Sequence, residues 1–310
     1  MSTDPSPLRA NTGGIDIACP LCATDLPVPA GPIDTDPSGR RVQFQLCRRC
    51  QVLVPAEIEP SPDGEHLDLS DSARQLADGM AADAPALAWN LAEHLPAPAD
   101  AGPVVDLGMG RGALANALQS LGYTVTGCEP SAFLCQMARA SYLLGPDTLT
   151  NTDPDSFLAS LEADSSTAAA VVLWHVVDRH PDPLGLLRRA AKVASGGLLF
   201  VEFPVARADR LLAEQRVHPT PATLLHLADE LNLVIRAASI DGRQAVRVVF
   251  AVPHENVVDL DRAHNIDIPA LETAYRAASP VFADQVPGPM APTEPEGDPV
   301  AQLEQHRSGR

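Results

Sequence analysis

Three groups of side chains in this 310-residue sequence have types and spacings suited to chemistry. Asp106 precedes Gly108, Gly110 and Gly112, and Glu129 ends the next apolar run, so two carboxylates bracket a turn lacking side-chain bulk. Such a pair can accept hydrogen bonds from a diol or balance a cation. Cys19, Cys22, Cys47 and Cys50 form two C-x-x-C pairs, the donor set of a tetrahedral metal ion. His175 and His180 follow an unbroken apolar run from Ala168 to Trp174, and imidazoles there can move protons near neutral pH.

The glycine spacing alone also satisfies the dinucleotide fingerprint, and Asp106 separates the two readings. A carboxylate two residues before the first glycine repels a pyrophosphate and attracts an ammonium group. S-adenosylmethionine carries an ammonium, has no phosphate, and offers a ribose diol to Glu129. The pattern acid-x-Gly-x-Gly-x-Gly, with an acid ending the following strand, resembles the class I S-adenosylmethionine-dependent methyltransferases.

The elements that must position these groups are legible on either side. Val104 to Leu107 reads as a strand, Ala113 to Leu121 as a helix closed by Gly122, and Tyr123 to Cys128 as a second strand, together one β-α-β unit. Ser131 caps a helix to Leu143, and a short strand near Thr148–Asn151 leads to Asp153. That residue suits either an acceptor for the adenine amino group or an N-cap before Pro154, and the two roles are compatible. The Ala168–Trp174 run fits a parallel strand buried on both faces. Asp182-Pro183 begins a helix, Leu198 to Phe203 forms another strand, and Thr220-Pro221 begins a further helix. Leu233–Ser239 and Ala245–Val252 read as a terminal antiparallel pair. The count predicts an α/β fold with a doubly wound, seven-stranded, mostly parallel sheet.

The cysteine pairs predict a small N-terminal zinc ribbon in which Zn2+ is structural, since four protein ligands leave no open position. Their spacer exceeds the ~15–20 residues common in such sites and is rich in proline. Ala23 and Gln51 stand where each knuckle usually has glycine, so a strained or altered turn is expected. Arg40, Arg41, Arg48 and Arg49 surround this module, as donors attracted to an anionic four-thiolate site or as a small basic patch.

Leu173-Trp174-His175-x-x-Asp178, then Pro181-Asp182-Pro183 and Gly196-Gly197-Leu198-Leu199-Phe200-Val201-Glu202-x-Pro204, is similar to small-molecule and cell-surface-glycan methyltransferases that often carry a zinc ribbon. That family more often continues His-x-x-Glu-His, where this chain has Asp178-Arg179 and then His180. The resemblance implies S-adenosylmethionine as cofactor, a small-molecule or glycan acceptor, and helices before the glycine strand that roof the cofactor. His175 and His180 are the candidate general bases and His218 a weaker third; cofactor contacts fall to Asp106, Gly108, Gly110, Gly112, Glu129 and Asp153. Two other functions fit less of the sequence: an RNA methyltransferase, since some begin with a Cys-Pro-Leu-Cys ribbon, and a non-catalytic interaction module on the same fold.

Composition sets the outer bounds. A net charge of −18 argues against nucleic-acid partners. No apolar stretch is long enough for a membrane span and the N-terminus lacks a secretory pattern, which makes the cytoplasm the default location. Prolines, 30 in all, cluster between segments and mark the boundaries. Residues 1–14 are expected to be disordered, 15–60 a ribbon-like module, 61–98 a helical linker or lid, 99–253 the methyltransferase domain, and 254–310 an acidic, Pro-rich, largely disordered tail. Two helices are expected between residues 70 and 94, divided at Pro85, with Trp89 in the core.

Overall fold

The computed structural model describes residues 18–24, 26, 33–35, 41–55, 71–205, 215–240, 245–254 and 266–278. Its centre is a seven-stranded sheet built from β4 (Val104–Leu107), β5 (Val125–Cys128), β6 (Leu149–Thr150), β7 (Ala170–Trp174), β8 (Leu198–Pro204), β9 (Val234–Ile240) and β10 (Ala245–Ala251). The spatial order is β6-β5-β4-β7-β8-β10-β9. β10 runs antiparallel to both neighbours, and the pairings among β4 to β8 are parallel, so the expected doubly wound sheet is present.

Strand order reverses between β4 and β7, and the crevice above that reversal is where an open α/β sheet takes ligands. Alternation along the strands divides the core. Val104, Val125, Ala170, Val172 and Phe200 face α1 (Asp71–Ala92), α2 (Ala113–Ser120) and α3 (Ala132–Tyr142). Val105, Leu107, Val171, Leu173 and Val201 face α4 (Pro154–Ala163), α5 (Pro183–Val193), α6 (Pro221–Glu230) and α7 (Ile268–Ala278). A period of two thus lets one sheet bury both faces.

Side-chain caps fix where most of these helices begin. Ser131 accepts from Leu134 N, Asp153 from Ser156 N, Asp182 from Gly185 N, and Thr220 forms a reciprocal capping box with Thr223. The expected break at Pro85 is absent: α1 is one helix with Pro85 inside it. An internal proline costs ~3 kcal/mol, and burial of Ala84, Leu87, Ala88 and Leu91 on either side offsets that penalty. Trp89 is not core, since its side of the helix faces out and it is 63% exposed.

The cysteine region forms a separate antiparallel sheet of β1 (Ile33–Thr35), β2 (Arg41–Leu46) and β3 (Leu53–Pro55), in that order. Ahead of Cys19 only Ala18 is described, and residues 1–14 and most of the tail lie outside the described residues. Within the tail, α7 buries Leu271, Tyr275 and Ala278. Among the described residues no helix is long and apolar enough to cross a membrane.

Candidate functional site

β4 delivers Asp106 into the crevice, and Glu129 follows the end of β5 on the neighbouring strand. Both carboxylates are buried. Gly127, paired with Asp106, lacks a β-carbon that would stand 1.9 Å from the Asp106 carbonyl oxygen, so only glycine allows this approach. Burial, with the Glu129 charge behind it, pushes the Asp106 carboxyl up to about 7. Glu129 is held from two sides: Gly110 N donates to Oε2 at 2.8 Å and Ser131 N donates to Oε1 at 2.9 Å. A carboxylate oxygen carries two acceptor sites, which is the chemistry a ligand diol would use.

The turn between the carboxylates places Gly108, Gly110 and Gly112 at φ 71°, 54° and 76°, the left-handed region that glycine enters without strain. A β-carbon at Gly110 would meet nothing within 4 Å, so the backbone there faces open space that a ligand can occupy. Two buried acids and a bare backbone turn form a cradle suited to a cationic, diol-bearing ligand. Asp153, beyond β6, is exposed and uses both oxygens on Ser156, which hold its carboxyl below the ordinary value. Its capping role is therefore visible in the structure.

At the end of β7 the chain turns sharply, with His175 at φ 55°. A non-glycine residue in this region is strained by about 1–3 kcal/mol and persists only where its surroundings hold it. They do: His175 N donates to the Glu202 carbonyl oxygen at 3.2 Å, and His175 Nε2 lies 3.2 Å from Glu202 Oε1. Trp174 Nε1 donates to the same carboxylate oxygen at 2.6 Å, while Arg247 Nε and Nη2 donate to Oε2 at 2.8 and 2.6 Å. Glu202 is buried, and desolvation alone would raise its carboxyl. The His175 hydrogen bond and charge, joined by Arg247, outweigh burial and hold it below the ordinary value.

Glu202 and Arg247 were not singled out by sequence reasoning. The signal was one acid in Leu198–Pro204 and one base in Ala245–Ala251, which pair directly across β8 and β10. His180 has different neighbours: its Nε2 is 3.1 Å from Asp155 Oδ2 and its Nδ1 is 2.8 Å from the Asp182 carbonyl oxygen. The two histidines share a loop but not a partner. His218 is fully buried away from solvent, and burial pushes its imidazole down to about 3, so it is neutral near physiological pH.

The four cysteine sulfurs lie within 4.8 Å of one another, with Cys19–Cys50 at 3.5 Å and Cys22–Cys47 at 3.4 Å. A tetrahedral ion ~2.3 Å from each sulfur requires sulfur separations of ~3.8 Å, so the donor set and spacing fit zinc. The knuckles are built alike. Ala23 N bonds Cys19 O and Gln51 N bonds Cys47 O, each at 2.9 Å, and Ala23 and Gln51 occupy the left-handed region at φ 54° and 59°. The altered turns expected from the missing glycines are thus ordinary knuckle turns occupied by residues that pay strain for them. A hydrogen bond from Cys50 draws the Cys19 thiol down to about 5 against the effect of burial, while Cys50 is pushed up in return.

A family model described as methyltransferase domain matches residues 46–237. No curated protein matches the chain. Similar solved structures include an O-methyltransferase family protein from Burkholderia thailandensis, at 16% identity over 60% of this chain and 61% of that chain, with a TM-score of 0.45. Magnesium protoporphyrin IX methyltransferase from Synechocystis PCC 6803 with bound SAM is 18% identical over 61% of this chain and 86% of that chain, with a TM-score of 0.43. The CcbJ methyltransferase from Streptomyces caelestis is 16% identical over 55% of this chain and 90% of that chain, with a TM-score of 0.45. The chain therefore spans less than two thirds of the first of these proteins. The family match covers more than half of the sequence, and it identifies this chain as a member of the methyltransferase domain family.

Proposed function

We propose that this protein transfers a methyl group from S-adenosylmethionine to a small-molecule or glycan-type acceptor, in the cytoplasm, with a structural zinc ion held by Cys19, Cys22, Cys47 and Cys50. The observation that carries the reading is the buried Asp106–Glu129 pair flanking a left-handed glycine turn that is open at Gly110. In this assignment Glu129 accepts from the ribose diol and Asp106 balances the ammonium. The Gly108, Gly110 and Gly112 backbone lines the contact, and Asp153 adds an acceptor for the adenine amino group. The cofactor supplies a methyl group already activated by positive sulfur. The protein's remaining task is to align an acceptor and exclude water, which accounts for on the order of 7–11 kcal/mol of barrier in well-oriented reactions.

His175 and His180 stand at the carboxyl end of β7 as candidate bases for an acceptor that loses a proton. Net charge of −18 supports a small acceptor over nucleic acid. Four of the six cysteines fall in paired C-x-x-C spacing suited to metal rather than to disulfides, which supports a reducing compartment. Excess S-adenosylmethionine should raise the unfolding temperature, as ~2.7 kcal/mol is available at a hundredfold excess over Kd. Labelled methyl groups should then appear in a component of a metabolite extract. Stabilisation by NAD with indifference to the sulfonium compound would overturn the assignment.

A further inference from the structure

The cysteine knuckles do not sit apart from the catalytic sheet. Cys19, Leu21, Cys47, Cys50, Val52 and Val54 belong to the same apolar cluster as Val177, Val205, Val217 and Leu224. Backbone bonds continue the junction: Leu53 N donates to His218 O at 3.1 Å and His218 N to Leu53 O at 2.9 Å. Thr220, the N-cap of α6, donates its hydroxyl to the carbonyl of Gln51, the left-handed residue of the second knuckle, at 3.1 Å.

From that segment a second set of bonds reaches the β7 loop. Gln215 Nε2 donates to Asp178 Oδ2 at 3.0 Å, and Arg216 N donates to the Asp178 carbonyl oxygen. Asp178 lies three residues after His175, and Gln215, Asp178, His218 and Thr220 are all buried. Buried bonds of this kind are expensive to break, since a stranded polar group costs ~1–3 kcal/mol. The carboxylates proposed to hold the cofactor lie at β4 and beyond β5, where Glu129 accepts from the Gly110 and Ser131 amides.

We propose that the metal-bound ribbon is the anchor of the acceptor-side wall, with Gln215 and Thr220 as positioning residues that transmit the knuckle's geometry to residues 176–182. This rests on the acceptor crevice opening at the ends of β7 and β8. Folding energy of the metal site then holds the wall, because four thiolates keep their arrangement only around an ion. Metal loss therefore loosens the acceptor side and spares the cofactor side.

Hydrogen exchange on the full chain tests this, comparing zinc-loaded protein with protein stripped by a chelator and with Cys50→Ser. Exchange at 176–182 and 215–220 should accelerate at least ~10-fold, while 104–131 stays within ~2-fold. Acceleration confined to 19–55 would make the ribbon an autonomous module, and acceleration throughout β4 and β5 would make zinc a global fold requirement; either overturns the proposal. Gln215→Met covers the case in which metal-free protein does not fold. With zinc content and 41–55 unchanged, it should still speed exchange at 176–182, and no change there refutes the coupling. S-adenosylhomocysteine-induced stabilisation of the zinc-loaded protein is measured in parallel. Its absence would refute the cofactor assignment whatever the exchange pattern.

Discussion

Asp106 and Glu202 are both buried carboxylates on the same sheet, and their chemistry points in opposite directions. Around Glu202 stand Arg247, His175 and Trp174, and its carboxyl is held below the ordinary value. Burial raises the Asp106 carboxyl to about 7, with the negative charge of Glu129 adding to the effect. One acid is neutralised within the protein; the other, in the proposed function, is completed by a cation from outside. Equal burial thus leaves one carboxyl below its ordinary value and the other above it, and in the proposed function the second serves ligand recognition.

Removing the internal partner should have the largest effect. Arg247→Met leaves Glu202 buried without its guanidinium and is expected to destabilise the fold by about 3–5 kcal/mol in urea denaturation. The double variant Glu202→Met, Arg247→Met should recover most of that loss, because paired apolar residues replace a buried ion pair at little net cost. A double variant as unstable as the single one would mean that the pair is not the unit holding β8 to β10.

Asp106→Asn should act in the reverse sense. The carboxyl titrates near ~3.9 unfolded and about 7 folded. Its contribution to stability is therefore complete below ~4 and is lost as pH climbs to about 7. The amide should make the protein more stable than wild type at pH 8, by up to roughly 4 kcal/mol, with the gap closing toward pH 4. Ligand affinity should move oppositely: wild type should bind S-adenosylhomocysteine about tenfold more tightly at pH 7.5 than at pH 6, and the variant should show a flat profile. Calorimetric titration at both pH values decides between this account and one in which Asp106 is a passive strand residue.

Glu129→Ala tests the other half of the pair with a smaller effect, since hydrogen bonds to a charged group contribute about 1.5–3 kcal/mol. S-adenosylhomocysteine binding should weaken by roughly 10- to 100-fold. The variant also strands the Gly110 and Ser131 amides that Glu129 now accepts from. Glu129→Gln, which keeps an acceptor oxygen, should recover part of the affinity if the diol contact is the reason for the residue.

The β-α-β unit proposed to hold the cofactor was legible in the sequence because its parts are contiguous: strand, glycine turn, helix and second strand fall within Val104 to Glu129. Helix starts at Ser131, Asp182 and Thr220 were readable for the same reason, each cap acting within its own first turn. The acceptor side was less so. Glu202 meets Arg247 across a separation of 45 residues, and Thr220 meets Gln51 across 169. Only strand register and domain packing bring such residues together, and no local pattern encodes either. Pro85 and Trp89 misled for a related reason, since the tertiary burial of Leu87 and Leu91 overrides local propensity.

The smallest expected effect concerns the knuckles, where the sequence omits glycine at a position that geometry favours for it. Ala23 is exposed and sits at φ 54°. A β-carbon in the left-handed region costs roughly 1–2 kcal/mol, whereas glycine gives back about 0.5–1 kcal/mol through its freer unfolded chain. Ala23→Gly should therefore stabilise the zinc-loaded protein by about 0.5–1 kcal/mol without changing its metal content. Thermal unfolding of loaded and stripped protein separates the contributions: the gain belongs to the closed knuckle and should shrink when the metal is removed. An equal gain in both forms would show that the turn is fixed by packing on the sheet and not by the ion. That outcome would move the origin of the ribbon's rigidity from the thiolate site to Val52, Val54 and the shared apolar cluster.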